Sequence, residues 1–202
     1  MRFVAVDLEL EQPKSNPQTP DSRILTEKII QVGICVFETG EECKILHSET
    51  MHINYNRPLS EFIKTLTSIK QEDVESSPYT SADALKKIGY LMRVYETDRR
   101  IVEWGGGDVK ALQRETGFSD DFCYELGLTT RNSFNAKILF QCYAMMNGIK
   151  AKGGLSKSVA KMGLNFRNTT YNGSNKGAHW AETDALNTAI IFNELLQRMK
   201  ES

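Results

Sequence analysis

The stretch that decides the reading of this chain is FVAVDLEL, residues Phe3 to Leu10. Side chains of a strand alternate between two faces, so Val4, Val6, Leu8 and Leu10 form one apolar row. The other row begins as apolar, with Phe3 and Ala5, and then places Asp7 and Glu9 side by side. A strand apolar on both faces belongs in the middle of a sheet that is covered on both sides. Two neighbouring carboxylates at its end repel each other, and desolvating each one unpaired costs on the order of several kcal/mol. The pattern therefore demands a positive partner at the end of a central strand.

Working outward, the next segments read as more sheet. KIIQVGICVFE (28–38) alternates Ile30, Val32, Ile34 and Val36 as a second strand, and TGEE turns the chain into a third around Cys43–Asn54. Such connections predict an antiparallel meander. Between the first two strands EQPKSNPQTPDS (Glu11–Ser22) is polar and rich in proline, which predicts a long loop. Helical spacing then takes over. A Thr80-x-x-Asp83 capping pattern precedes Leu85, Ile88, Met92 and Tyr95. A short strand Arg99–Trp104 runs through a glycine turn (105–107) into a helix over Asp108–Glu115. AKILFQCYAMMNG and GLSKSVAKMG read as helices stopped by glycine. A last helix over Ala181–Met199 carries Ala185, Ala189, Phe192, Leu196 and Met199 on one stripe. Three strands followed by alternating helices and strands predict a mixed α/β sheet covered by helices, with residues 1–202 as a single domain.

Composition excludes several classes. No apolar run reaches the length of a membrane span, and MRFVAVDLELEQ is too acidic for a signal peptide. Cys35, Cys43, Cys123 and Cys142 lack zinc-site spacing and are expected as free thiols in a reducing, cytoplasmic setting. The net charge of −1 hides an asymmetry: residues 1–125 hold 22 acids against 15 bases, whereas Leu126–Ala181 contains no acid at all. That segment carries Arg131, Lys137, Lys150, Lys152, Lys157, Lys161, Arg167 and Lys176, a pattern that suits a polyanionic partner as well as a plain solvated surface.

Two further sites join Asp7 and Glu9. Asp108 follows WGGG at a strand-to-helix junction, and HWAETD places His179 and Asp184 at the head of the last helix. Four carboxylates offer oxygen ligands to two hard cations, Mg²⁺ or Mn²⁺. Such a pair activates water and stabilises the leaving oxygen in phosphodiester cleavage. Histidine titrates near neutrality, which suits His179 to accept a proton from the attacking water. Taken singly, Asp7 and Glu9 could mark a strand entering solvent, Asp108 and Asp184 could favour helix N-termini, and His179 could be a capping residue. Each of these readings is reasonable separately, and it is the resemblance set out below that favours a site. His47 and His52 read as strand-face residues, and Trp180 and Phe192 as packing. Trp104 reads as core, with base stacking the lesser option.

D-x-E near the start, a mid-chain Asp and H-x-x-x-x-D near the end resemble the DEDDh 3′→5′ exonucleases, the family of polymerase proofreading subunits, ribonuclease T and oligoribonuclease. EKIIQVGICVF looks like that family's second strand and LTSIKQEDVESSP like its turn-and-helix segment. WGGGD and GLSKSVAKMGLNF resemble the branch of the histone-mRNA 3′-exonucleases. The resemblance implies a ribonuclease H-like five-stranded mixed sheet, an antiparallel meander plus parallel strands, flanked by helices. It implies hydrolysis of single-stranded RNA or DNA from the 3′ end to nucleoside 5′-monophosphates, with RNA degraded at least as well as DNA. Asp7, Glu9 and Asp184 would hold one metal, Asp7 and Asp108 the second, and His179 would be the general base. Backbone groups at Leu8 and Leu10, the Trp104 ring, and Lys150, Lys152, Lys157 and Lys161 would meet the substrate. The alternatives are a non-catalytic nucleic-acid-binding or regulatory protein on this fold, and a phosphodiesterase of short oligonucleotides.

Overall fold

The computed structural model describes residues 1–11, 28–128 and 133–200. Apart from Glu11, the expected proline-rich loop lies outside the described residues, as does Arg131. Strand β1 (Arg2–Glu11) is the middle of a five-stranded sheet in the order β3-β2-β1-β4-β5. It pairs antiparallel with β2 (Lys28–Glu38), which pairs antiparallel with β3 (Lys44–His52). On its other side β1 runs parallel to β4 (Ile101–Glu103), and β4 runs parallel to β5 (Ser133–Asn135). The expected mixed sheet is therefore present, although β4 is shorter than the Arg99–Trp104 strand expected.

Eight helices accompany the sheet among the described residues: α1 (Glu61–Thr67), α2 (Gln71–Glu75), α3 (Ser81–Val94), α4 (Asp108–Thr116), α5 (Asp120–Glu125), α6 (Ala136–Met146), α7 (Leu155–Lys161) and α8 (Ala181–Lys200). None is long and apolar enough to cross a membrane. The Thr80 hydroxyl and Asp83 carboxylate cap α3 reciprocally, an arrangement whose loss costs about 1 kcal/mol.

The two rows of β1 go to two cores. Val4, Val6 and Leu8 pack with Val32, Ile34 and Val36 of β2 against Leu85, Ile88 and Met92 of α3 and Leu112 of α4. Phe3 and Ala5 pack with Cys35 and Phe37 against Ala185, Ala189 and Phe192 of α8. Phe3 stacks on Phe37 at 5.5 Å and meets Phe192 edge-on at 5.2 Å, geometry that adds to the area buried. Met199, expected on the α8 stripe, is instead exposed, because that stripe outruns the sheet by the helix's last turn. α7 covers the distal half of α8, with Leu155, Val159 and Met162 against Ile191 and Leu195. A separate hairpin, β6 (Thr169–Tyr171) and β7 (Ser174–Lys176), precedes α8.

Candidate active site

The odd-numbered row of β1 continues past Ala5 to Asp7 and Glu9, and there it meets the head of α8 instead of the helix's apolar middle. Two cross-strand rows form the floor on this face. Asp7 stands opposite Gly33 of β2, which stands opposite Thr50 of β3; Glu9 stands opposite Gln31, which stands opposite His52. Apart from Asp7 and Glu9, each member of these rows that carries a side chain helps seat HWAETD. Gln31 Oε1 accepts the Ala181 N–H at 2.8 Å. The Gln31 amide nitrogen lies 3.0 Å from His52 Nε2, where the amide donates to a neutral ring whose pKa burial lowers. Ser48 and Thr50 hydroxyls donate to the two Glu182 oxygens at 2.7 and 2.8 Å, and the Trp180 indole donates to Thr50 at 3.0 Å. At Gly33 the α8 backbone sits directly on the sheet: a Cβ there would lie 2.0 Å from the Ala181 carbonyl carbon.

Seated this way, α8 turns Asp184 toward Asp7 and Glu9. His179 lies on the exposed loop just before the helix with φ of 65°, a conformation uncommon for a residue with a side chain. Its backbone N–H donates to Asp184 Oδ2 at 3.1 Å, while Asp184 Oδ1 is buried with no hydrogen-bond partner. One ligand atom each from Glu9, His179 and Asp184 lie within 4.8 Å of one another.

Asp108 enters from the far side. Gly105, Gly106 and Gly107 all take positive φ, so three residues without Cβ make the turn from β4 into α4. Glu103, 2% exposed, accepts from the backbone N–H of Gly107 and of Val109, both at 2.9 Å. From the other side Asn135 donates its side-chain amide to the Gly105 carbonyl at 2.7 Å and caps α6 through its oxygen. The glycines thus serve a locked turn that presents Asp108.

The electrostatics show what this convergence costs. Burial first, then Asp108, Asp184 and Glu9, raise the Asp7 pKa well above the usual carboxylate range. Burial, Asp184 and Asp108 push Glu9 up to about 8. Burial and then Glu103 push Asp108 to about 8. Asp184 rises to about 6 through burial, opposed by its bond from His179 and the histidine's charge. Four acids that cannot all ionise together, one with an orphaned buried oxygen, form an all-oxygen donor set that fits a hard divalent cation.

The structure therefore brings Asp7, Glu9, Asp108, Asp184 and His179 to one place. It does not bring the lysines there. Lys150, Lys152 and Lys157 are exposed, by the end of α6 remote from this site and on α7. Lys161 donates to the carbonyls of Lys150 and Lys152 at 2.6 and 2.5 Å, so its ammonium holds a loop together. Trp104 is half-buried and packs on Phe140, and Leu8 belongs to the α3-side core while Leu10 is packed at its edge. His52 and Trp180 are more than strand-face and packing residues, since both help seat α8. Gly33, Gln31, Glu103 and Glu182 were not singled out from sequence; a Glu just before WGGGD and a lone Gly and Gln inside an apolar strand were the available signals.

No protein-family model and no curated protein sequence matches the chain. Among solved structures it is similar to a 3′-exonuclease described in 3′-end specific recognition of histone mRNA stem-loop, with a TM-score of 0.72 and 17% identity over 98% of this chain and 64% of that one. It is similar to cell-death related nuclease 4, with a TM-score of 0.71 and 16% identity over 98% and 64% of the two chains. It is also similar to E. coli exonuclease I in complex with a dT13 oligonucleotide, with a TM-score of 0.66 and 14% identity over 99% and 42%. The chain spans less than two thirds of the length of each of these proteins. At such identities the likeness is one of architecture, and the chain has the fold of the DEDD-type 3′-exonucleases.

Proposed function

We propose that the chain is a divalent-metal-dependent 3′→5′ exonuclease, residues 1–202 forming one catalytic domain, that hydrolyses single-stranded RNA or DNA to nucleoside 5′-monophosphates. The observation that carries this reading is the meeting of four carboxylates from β1, α4 and α8 beside an exposed histidine, at a cost to their ionised forms in desolvation and repulsion that bound divalent cations would offset. Asp7, Glu9 and Asp184 would hold one Mg²⁺ or Mn²⁺, and Asp7 and Asp108 a second. Fully ionised, the four acids balance two divalent charges. Bound there, the cations supply charge stabilisation for the attacking and leaving oxygens.

The chain's own residues do the rest. A ring nitrogen of His179 takes a proton from the water whose oxygen attacks phosphorus, and the bond to the preceding nucleotide's 3′ oxygen breaks, that oxygen taking a proton from solvent to become the new 3′ hydroxyl. The exposed loop around His179 leaves the ring open to solvent and substrate. The backbone beside Leu8 and Leu10 flanks the terminal nucleotide. The test is Mg²⁺-dependent degradation of end-labelled RNA and DNA, with mononucleotides released stepwise from the 3′ end and chelator abolishing the reaction. Asp7→Asn keeps the side chain's size and removes the charge both cations share, so activity falls by orders of magnitude in a folded protein. Near-full Mg²⁺-dependent activity of that variant would remove the metal assignment.

A further inference from the structure

The stretch from Ala136 to Gly163, α6 through α7, carries Lys137, Lys150, Lys152, Lys157 and Lys161 and no acid. Lys161 is committed internally to the Lys150 and Lys152 carbonyls. That tie shapes the connection between the helices. Ile149 and Ala151 turn inward against the α7–α8 core, and Lys150 and Lys152 alternate outward into solvent. Gly153, at φ of 136°, brings the backbone against the Lys157 side chain; a Cβ there would lie 3.0 Å from Lys157 Cβ. Three exposed lysines, 150, 152 and 157, thus stand on the connection between α6 and α7 and on the first turn of α7, a stretch called the rim below. On α8, Glu194 is paired with Arg198 at 2.6 Å.

The rim is joined to the acidic site by α6. At the near end Asn135 bonds the Gly105 carbonyl, and the Lys137 side chain lies beside the same glycine. At the far end the rim begins. The 11 residues of α6 span about 16 Å. Along the way its outward face is uncharged, with Ile138 and Met145 exposed together with Gln141 and Cys142. A stacked strand advances about 3.4 Å per nucleotide, so ~16 Å is about five nucleotides.

We propose that Lys150, Lys152 and Lys157 form a distal phosphate platform for the 5′-ward part of the same single strand whose 3′ end occupies the acidic site, so that the natural substrate is a strand of more than about five nucleotides. This rests on the nuclease reading of the site and selects long single strands over di- and trinucleotides. The chemistry required is a run of evenly spaced phosphates on a flexible backbone, able to leave the acidic pocket and follow α6.

The test is binding, which needs no turnover. Fluorescence anisotropy in chelator compares a 3-mer and a 12-mer of one sequence on the wild type and on Lys150→Glu/Lys152→Glu/Lys157→Glu. The wild type gains affinity with length, and the charge-reversed variant loses that gain at least tenfold. The milder triple alanine variant makes the log–log salt dependence for the 12-mer shallower by about 2, at about 0.7 per phosphate released. An unchanged length dependence, or equal loss for the 3-mer and the 12-mer, overturns the platform. Stronger competition by a duplex of equal length overturns the choice of a single strand. Failure of the nuclease reading would show separately, as absence of Mg²⁺-dependent cleavage by the wild type.

Discussion

Gly33→Ala is the most demanding perturbation of the site, because it adds one methyl group and touches no proposed ligand. The new Cβ would stand 2.0 Å from the Ala181 carbonyl carbon, 2.1 Å from its oxygen and 2.3 Å from the Glu182 nitrogen. Ordinary contact begins at 3.4 Å, so the head of α8 must retreat by about 1.4 Å. All three atoms are backbone, so no rotamer change relieves the clash. Overpacking of this kind costs about 1–3 kcal/mol, which at about 2–4 °C per kcal/mol is a visible fall in melting temperature. The effect on chemistry is larger. Asp184 rides on the displaced turn, metal–ligand distances tolerate only about 0.2 Å, and a 1 Å misplacement can cost about 100-fold in rate. The assay is initial-rate hydrolysis of a labelled strand at a temperature where the variant is fully folded, paired with Mn²⁺ titration by calorimetry. Activity should fall about 100-fold and Mn²⁺ affinity should weaken with it. Gly40→Ala is the control, since its Cβ would meet only the Glu42 carbonyl at 3.5 Å. Wild-type rate and melting in Gly33→Ala would refute the claim that close approach at Gly33 positions the acids.

Other expectations are as direct. His179→Ala should lose most turnover yet bind Mn²⁺ with nearly wild-type affinity, and a variant that no longer binds metal would make His179 a ligand instead of a base. Glu9 and Asp108, pushed to about 8, hold protons in the metal-free fold that the unfolded chain releases near 4.5 and 3.8. Their contribution to metal-free stability is therefore fully present below about pH 4 and is lost as pH rises through about 8, so melting in chelator should decline over that window; a melting temperature that rises with pH there would contradict it. Metal binding should release protons and tighten between pH 6 and 8, read by calorimetry in buffers of different ionisation enthalpy. In competition between matched RNA and DNA strands RNA should be degraded at least as well, and a clear preference for DNA would defeat the expectation drawn from WGGGD.

The central strand and the acids were legible because each rests on a local regularity. Alternation in FVAVDLEL marks a strand buried on both faces, and the Thr80–Asp83 box marks the start of α3. The seat of α8 was not legible, because it depends on which residues face each other across strands. Gln31 and His52 meet only once β2 and β3 are in register, and Glu182 finds Ser48 and Thr50 more than 130 positions away. The placement of the lysines was not legible for a related reason: absence of acids along the chain shows a basic face but not its distance from the site. Lys161 illustrates the point, its ammonium spent on two carbonyls. Short elements such as β5, α5 and the β6–β7 hairpin carry too few residues for a periodic signal.

The docking of α8 on β1 also has a consequence for how the molecule comes into being. Asp7 lies in β1 and Asp184 in α8, so the acidic cluster closes through contacts between elements far apart in sequence. Long-range closure of this kind is slow to form, and it waits for α8 to follow β1 out of the ribosome. A ribosome-bound chain that has emerged only as far as α7 has β1, and so Asp7 and Glu9, but lacks the helix that covers Phe3, Ala5 and Phe37 and completes the donor set. Burial of one hydrophobic face and assembly of the acidic donor set are therefore a single event, and a variant whose α8 cannot dock loses both together.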